Sequence, residues 1–121
     1  MPTVLLAEDD PDVVLLLRTI LEMEGYGVMC ATNGEDALEL LELGTPSLVI
    51  LDVCMPRVGG LEVLAAMRAR AQTRNTPVLM MSAVGDDTTI FDSMCAGGDY
   101  YLPKPFQARE LAAAVKRLLA A

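Results

Sequence analysis

An α/β fold on a parallel sheet is predicted by three features of the chain. Short apolar runs do not alternate with polar residues, stretches of helical apolar spacing separate them, and Gly, Pro or Asp marks most junctions. The 121 residues suit a single domain, long enough to bury a core without disulfides or structural metal.

Thr3–Ala7 is the first apolar run, and Asp10-Pro11 after it suits an N-cap with proline in the first helical turn. Val13, Val14, Leu17, Ile20 and Leu21 then recur at helical spacing until Gly25, a residue fit for a left-handed cap. The unit repeats: a strand over 26–31, a helix over Gly34–Leu43 ended by Gly44, and a thoroughly apolar strand over 47–51. A Pro- and Gly-rich loop follows Asp52, then a helix over 61–71 and a strand over 77–81. A weaker helix over 86–95, a short strand over 100–102 and a strong helix over 108–119 complete the chain. In the last of these, Leu111, Val115, Leu118 and Leu119 share one face. Right-handed crossovers make a doubly wound, flavodoxin-like (βα)5 domain with strand order 2-1-3-4-5 the expected topology.

A net charge of −8, with the basic residues scattered, argues against direct binding to nucleic acid. No apolar run approaches the roughly 18 residues that span a membrane. The opening MPTVLLAEDD has neither a basic segment ahead of an apolar stretch nor a small-residue cleavage site, so a cytoplasmic location is expected. Cys30, Cys54 and Cys95 are far apart and lack zinc-ligand spacing; they are expected to be buried or half-buried small hydrophobes in a reducing compartment. The chain has no histidine, which excludes Ser-His and Cys-His triads, HExxH metal sites and a phosphohistidine of its own.

In an open parallel sheet the ligand crevice lies at the carboxyl ends of the strands. Glu8, Asp9 and Asp10 follow the first strand, Asp52 the third, Ser82 the fourth, and Lys104 the fifth. Asp10 is read as a helix cap. The carboxylates of Glu8, Asp9 and Asp52 would raise one another's pKa unless a cation lay among them, and so sparse an oxygen cluster fits Mg²⁺ better than a Ca²⁺ cage. Lys104 is expected to pair with Asp52 at rest, and Ser82 can donate to a phosphoryl oxygen. Each feature alone is common; the constellation carries the reading.

VLLAEDDP, LVILDVCMPRVGG, MMSA and DYYLPKPF together resemble the receiver domains of two-component response regulators, and the resemblance covers nearly the whole chain, 1–121 as one domain. It implies that Asp52 is the phosphoacceptor, attacking a phosphohistidine on a sensor histidine kinase or phosphotransfer protein, or a small phosphodonor. Asp9 and Asp52 would bind Mg²⁺ directly, Glu8 through metal-bound water, and Cys54 through its backbone carbonyl. Ser82 and Lys104 would hold phosphoryl oxygens, and Tyr101 would turn inward as Ser82 moves, remodelling the face of the fourth helix, fifth strand and fifth helix. Such a domain assists its own phosphorylation and dephosphorylation and is otherwise no enzyme.

Gly59 stands where many members carry an acid. Cys54 and Val84 occupy the positions that in this family influence the attacking water, and neither side chain orients water well, so a long-lived phosphoryl group is expected. A downstream effector or output domain is the implied further partner. A phosphorylation-dependent homodimer stays open, because 86–95 lacks the basic residues such pairs use. Two rivals remain: an aspartyl-phosphate type phosphatase, which would need a second Asp where Cys54 stands, and a scaffold that binds partners without phosphorylation.

Overall fold

The computed structural model describes residues 1–83 and 87–120. The elements alternate as β1 (Thr3–Ala7), α1 (Pro11–Met23), β2 (Gly27–Ala31), α2 (Gly34–Leu43), β3 (Leu48–Asp52), α3 (Gly60–Ala69), β4 (Val78–Ser82), α4 (Asp87–Cys95), β5 (Tyr100–Pro103) and α5 (Ala108–Ala120). Every strand pairing is parallel, and the order is β2-β1-β3-β4-β5, as expected from the sequence.

The apolar runs of β1, β3 and β4 are explained by burial on both faces of the sheet. One core layer joins Leu6, Ile50 and Met81 to Leu17 and Leu21 of α1 and Leu111 and Val115 of α5. The other joins Leu5, Val49 and Met80 to Leu41 of α2 and Val63, Leu64 and Met67 of α3. Fully burying one such side chain stabilises the fold by about 1.5–3 kcal/mol, so the central strands dominate the core energetics.

Several boundaries follow from local hydrogen bonding. Asp10 caps α1 as expected, its side chain accepting from Asp12 N at 2.9 Å, and Gly25 after the helix adopts φ +89°. Helix α3 ends at Ala69, before the expected residue 71, because the buried Thr73 hydroxyl donates to Met67 O at 2.7 Å and draws the chain into a turn. Strands β3 and β4 run one residue further than the apolar pattern suggested, so Asp52 and Ser82 are the last residues of their strands. The ladder reaches them because Asp52 lies opposite Met81 and Ser82 opposite Pro103. Asp86, the expected first residue of the fourth helix, and Val84 lie outside the described residues.

The cysteines depart from expectation. Cys30, on edge strand β2, is half-buried, but Cys54 and Cys95 are exposed. Cys54 lies in the loop where the chain leaves the sheet, and Cys95 ends α4 on its outer side. Among the described residues no helix is long and apolar enough to cross a membrane.

Candidate functional site

The carboxyl ends of β1, β3, β4 and β5 bring the expected site residues together. Glu8 continues the β1 ladder, its backbone N–H donating to Ala31 O at 3.0 Å, which carries its side chain inside; the residue is fully buried. Asp52 is 4% and Ser82 1% exposed, whereas Asp9 faces solvent. One carboxylate oxygen from each of Glu8, Asp9 and Asp52 lies within 4.8 Å of the other two. Lys104, just beyond β5, is positioned by its N–H donating to Ser82 O at 2.9 Å.

Lys104 Nζ donates to Glu8 Oε1 at 2.8 Å and to Asp52 Oδ2 at 3.3 Å. The expected pairing with Asp52 is present, but the shorter contact is with Glu8, which the sequence reading did not assign to the lysine. Its signal lay in the sequence all the same. Glu8 directly follows four buried apolar residues, so a charge there is drawn inside with the strand and needs a partner. Asp52 Oδ1 accepts from Cys54 N at 3.2 Å.

Burial, then the hydrogen bond to Asp52, pushes the Glu8 carboxyl up from 4.5 to about 7, against the opposing pull of Lys104. Burial alone would lower Lys104, but its hydrogen bond to Glu8 and the charges of Asp52 and Glu8 outweigh that and hold it above the usual lysine value. Three carboxylates against one ammonium leave an excess of negative charge, and Glu8 Oε2 is buried without a hydrogen-bond partner. The donor set is all oxygen and incomplete, which fits a hard divalent cation that keeps some of its waters.

Two glycines shape the rim. A Cβ on Gly60 would press on the Asp52 carbonyl, reaching 2.8 Å from its carbon, and one on Gly34 would come within 2.6 Å of the Val58 carbonyl carbon. The β3–α3 loop therefore lies directly against the start of α2, where Arg57 also pairs with Glu35 at 3.0 Å. Tyr101 is half-buried and packs against the core layer of α2 and α3.

A parallel five-stranded sheet with an acidic cluster, a buried hydroxyl-bearing residue and a lysine at its carboxyl edge defines a receiver-type fold, and the family model for the response regulator receiver domain matches residues 4–116. The chain belongs to that family. It is 43% identical over 119 residues to the transcriptional regulatory protein CpxR of Escherichia coli K12, covering 98% of this chain and 50% of that protein. It is 37% identical over 116 residues to the alkaline phosphatase synthesis transcriptional regulatory protein PhoP of Bacillus subtilis, covering 96% and 48%. The chain thus spans about half the length of these curated relatives. Among solved structures, the receiver domain of the Francisella response regulator 1452 superposes with a TM-score of 0.92 at 32% identity, covering 99% of this chain and 98% of that one. The receiver domain of sensor histidine kinase PA1611 from Pseudomonas aeruginosa PAO1, which holds a magnesium ion in its active-site cleft, has the same TM-score at 25% identity, with coverage of 99% and 98%.

Proposed function

We propose that Asp52 accepts a phosphoryl group in a Mg²⁺-dependent reaction. The donor is a phosphohistidine on a sensor histidine kinase or phosphotransfer protein, or a small phosphodonor. The observation that carries this is Lys104 lying between Glu8 and Asp52 at the strand ends, beside a buried carboxylate oxygen with no partner. Glu8, Asp9, Asp52 and the backbone carbonyl of Cys54 would hold the metal, as the magnesium in the related PA1611 cleft supports. When bound, Mg²⁺ supplies charge neutralisation and alignment, the two things phosphoryl transfer asks of a protein.

An Asp52 carboxylate oxygen attacks phosphorus, the P–N bond breaks, and the electron pair leaves with the imidazole nitrogen, which takes a proton. Lys104 and the Ser82 hydroxyl take the phosphoryl oxygens, so the domain assists its own phosphorylation and, by the same groups, its dephosphorylation. Ser82 shifts toward the new group and Tyr101 turns inward, changing the α4-β5-α5 face that a downstream effector, an output domain or a second copy reads. The acidic net charge supports the absence of direct nucleic-acid contact by this domain, and output is assigned to such partners in the cytoplasm.

Incubation with acetyl phosphate and Mg²⁺ followed by intact-mass measurement tests this. A single phosphoryl adduct is expected in the wild type and lost in Asp52→Ala or with EDTA. No adduct, under conditions that label another receiver, moves the reading to a phosphorylation-independent scaffold.

A further inference from the structure

Lys104 borders two spaces of opposite character. Its Nζ reaches Glu8 and Asp52 in the acidic cluster, and the residue also lines a cavity of about 260 Å³ with Val13, Leu16, Ala83, Pro105 and Phe106. Val13 and Leu16 stand three residues apart and so share a face of α1. Pro105 and Phe106 come from the segment after β5, and Ala83 directly follows Ser82 at the end of β4. The cavity is propped open: Val13 and Phe106 pack against the core layer beneath it, whereas Leu16 stays 49% exposed although Leu17 and Leu21 of the same helix are fully buried.

Among the described residues that line the cavity, Lys104 alone has a polar side chain. That restricts what the cavity can hold. An ammonium donates hydrogen bonds and accepts none, so a group that carries an N–H into this space, such as an imidazole, meets no accepting side chain there. A carboxylate with a short alkyl chain finds a cation at its head and aliphatic and aromatic walls along its tail. Such a carboxylate is what an acyl phosphate releases when it gives up its phosphoryl group.

We propose that this cavity is a leaving-group subsite for acyl phosphates with short alkyl chains, which makes them preferred small phosphodonors. The inference deepens the phosphoacceptor reading and rests on it. An Asp52 carboxylate oxygen forms a bond to phosphorus, the bond from phosphorus to the bridging acyl oxygen breaks, and the electron pair leaves with that oxygen as a carboxylate. No proton is required, because a carboxylate is a weak base at neutral pH. Lys104 stands beside the negative charge that develops on the departing oxygen. The alkyl chain lies against Val13, Leu16 and Phe106 before and after transfer, so its burial raises the labelling rate at donor concentrations below saturation.

Intact mass followed over time, with Mg²⁺ and equal sub-saturating acetyl phosphate, butyryl phosphate or phosphoramidate, tests the subsite. The two acyl donors release nearly equally basic carboxylates, and the two added methylenes are expected to make butyryl phosphate label about tenfold faster than acetyl phosphate. Equal rates overturn the subsite and leave the cavity to a protein partner. Leu16→Ser removes one wall at a position already half open to solvent, and the ratio is expected to fall to about threefold or less. An undiminished ratio places the alkyl chain elsewhere and overturns the assignment. Phosphoramidate carries no alkyl chain and separates the two readings. An adduct from it, without a preference between the acyl donors, overturns the subsite alone; no adduct from any donor overturns the phosphoacceptor reading and the donor role of the cavity with it. Binding of the leaving group is also read without phosphorylation, from the methyl resonances of Val13 and Leu16 titrated with sodium butyrate and, at matched ionic strength, sodium acetate. Butyrate is expected to shift them with a Kd about tenfold below that of acetate. Equal affinities, or no shift, overturn the cavity as a carboxylate site.

Discussion

Lys104 Nζ lies 2.8 Å from Glu8 Oε1 and 3.3 Å from Asp52 Oδ2, so the lysine's nearer partner is the fully buried glutamate. A carboxylate in that position is costly unless its charge is matched, and one ammonium shared between two carboxylates matches only part of it.

Stability of the metal-free protein should therefore depend on Glu8. Burial, with Asp52 beside it, pushes the folded-state pKa of Glu8 up from 4.5 to about 7. Across that window the folded chain holds a proton that the unfolded chain has released, so stability is full below pH 4.5 and declines as pH rises through 7. Urea unfolding in EDTA is expected to show wild type losing on the order of 3 kcal/mol relative to Glu8→Gln over this range. Added Mg²⁺ should restore wild-type stability at pH 8 and do little at pH 5, where protons compete. Parallel pH profiles for the two proteins would remove Glu8 as the titrating group.

Gly60 is expected to be indispensable to the geometry of Asp52. A Cβ there meets backbone, the Asp52 carbonyl carbon at 2.8 Å and Val53 Cα at 3.1 Å, and backbone cannot yield as a flexible side chain does. Gly60→Ala should cost at least the ~1–3 kcal/mol of an overpacked core and abolish labelling of Asp52. Gly44→Ala is the control: nothing lies within 4 Å of its Cβ and its φ of 172° is ordinary extended backbone, so it should be neutral or stabilise by up to ~1 kcal/mol. Equal effects from the two substitutions would refute the steric argument.

The sequence revealed the parallel sheet and the helix faces because burial on both faces leaves an unalternated apolar signature, and the site constellation because its residues each end or follow a strand; the strand order followed from the handedness of the crossovers and not from the apolar pattern. It was less informative about where strands stop, since Asp52 and Ser82 are polar yet still paired in the ladder. It also misplaced two of the thiols: residue type gives Cys54 and Cys95 a preference for burial, but loop and helix geometry put both outside. Arg68 was invisible for a different reason. Nothing in a helical pattern shows that an arginine will serve three carbonyls from two separate connections.

Arg68 Nη1 donates to Thr73 O at 3.1 Å and Thr76 O at 2.8 Å, while Nε and Nη2 hold Gly97 O and Nη2 also reaches Asp99 at 3.0 Å. Asp99 in turn accepts from Val78 N at 2.8 Å, so one guanidinium joins α3, the start of β4 and the turn into β5. Arg68→Ala should cost about 3 kcal/mol, and Arg68→Lys should fail to rescue it because an ammonium lacks the planar fork. Arg70, whose pair with Glu42 is exposed on both sides, should change stability by less than ~1 kcal/mol when replaced by Ala. Denaturant midpoints of the three variants decide the matter, and a mild Arg68→Ala would show the network to be dispensable.

Hydrolysis of a phosphoryl group on Asp52 requires a water held in line with the Asp–phosphorus bond, and the nearest exposed side chain past Asp52 in the chain is the thiol of Cys54. A thiol is a weak donor and a weak acceptor, so it holds such a water poorly, whereas an amide can both donate and accept. The phosphoprotein is therefore expected to persist for minutes or longer once the donor is removed, with Cys54→Asn shortening its life several-fold. Intact mass followed over time after desalting measures both. A wild-type lifetime of seconds would contradict the argument outright. An unchanged lifetime in Cys54→Asn would place control of the water away from position 54.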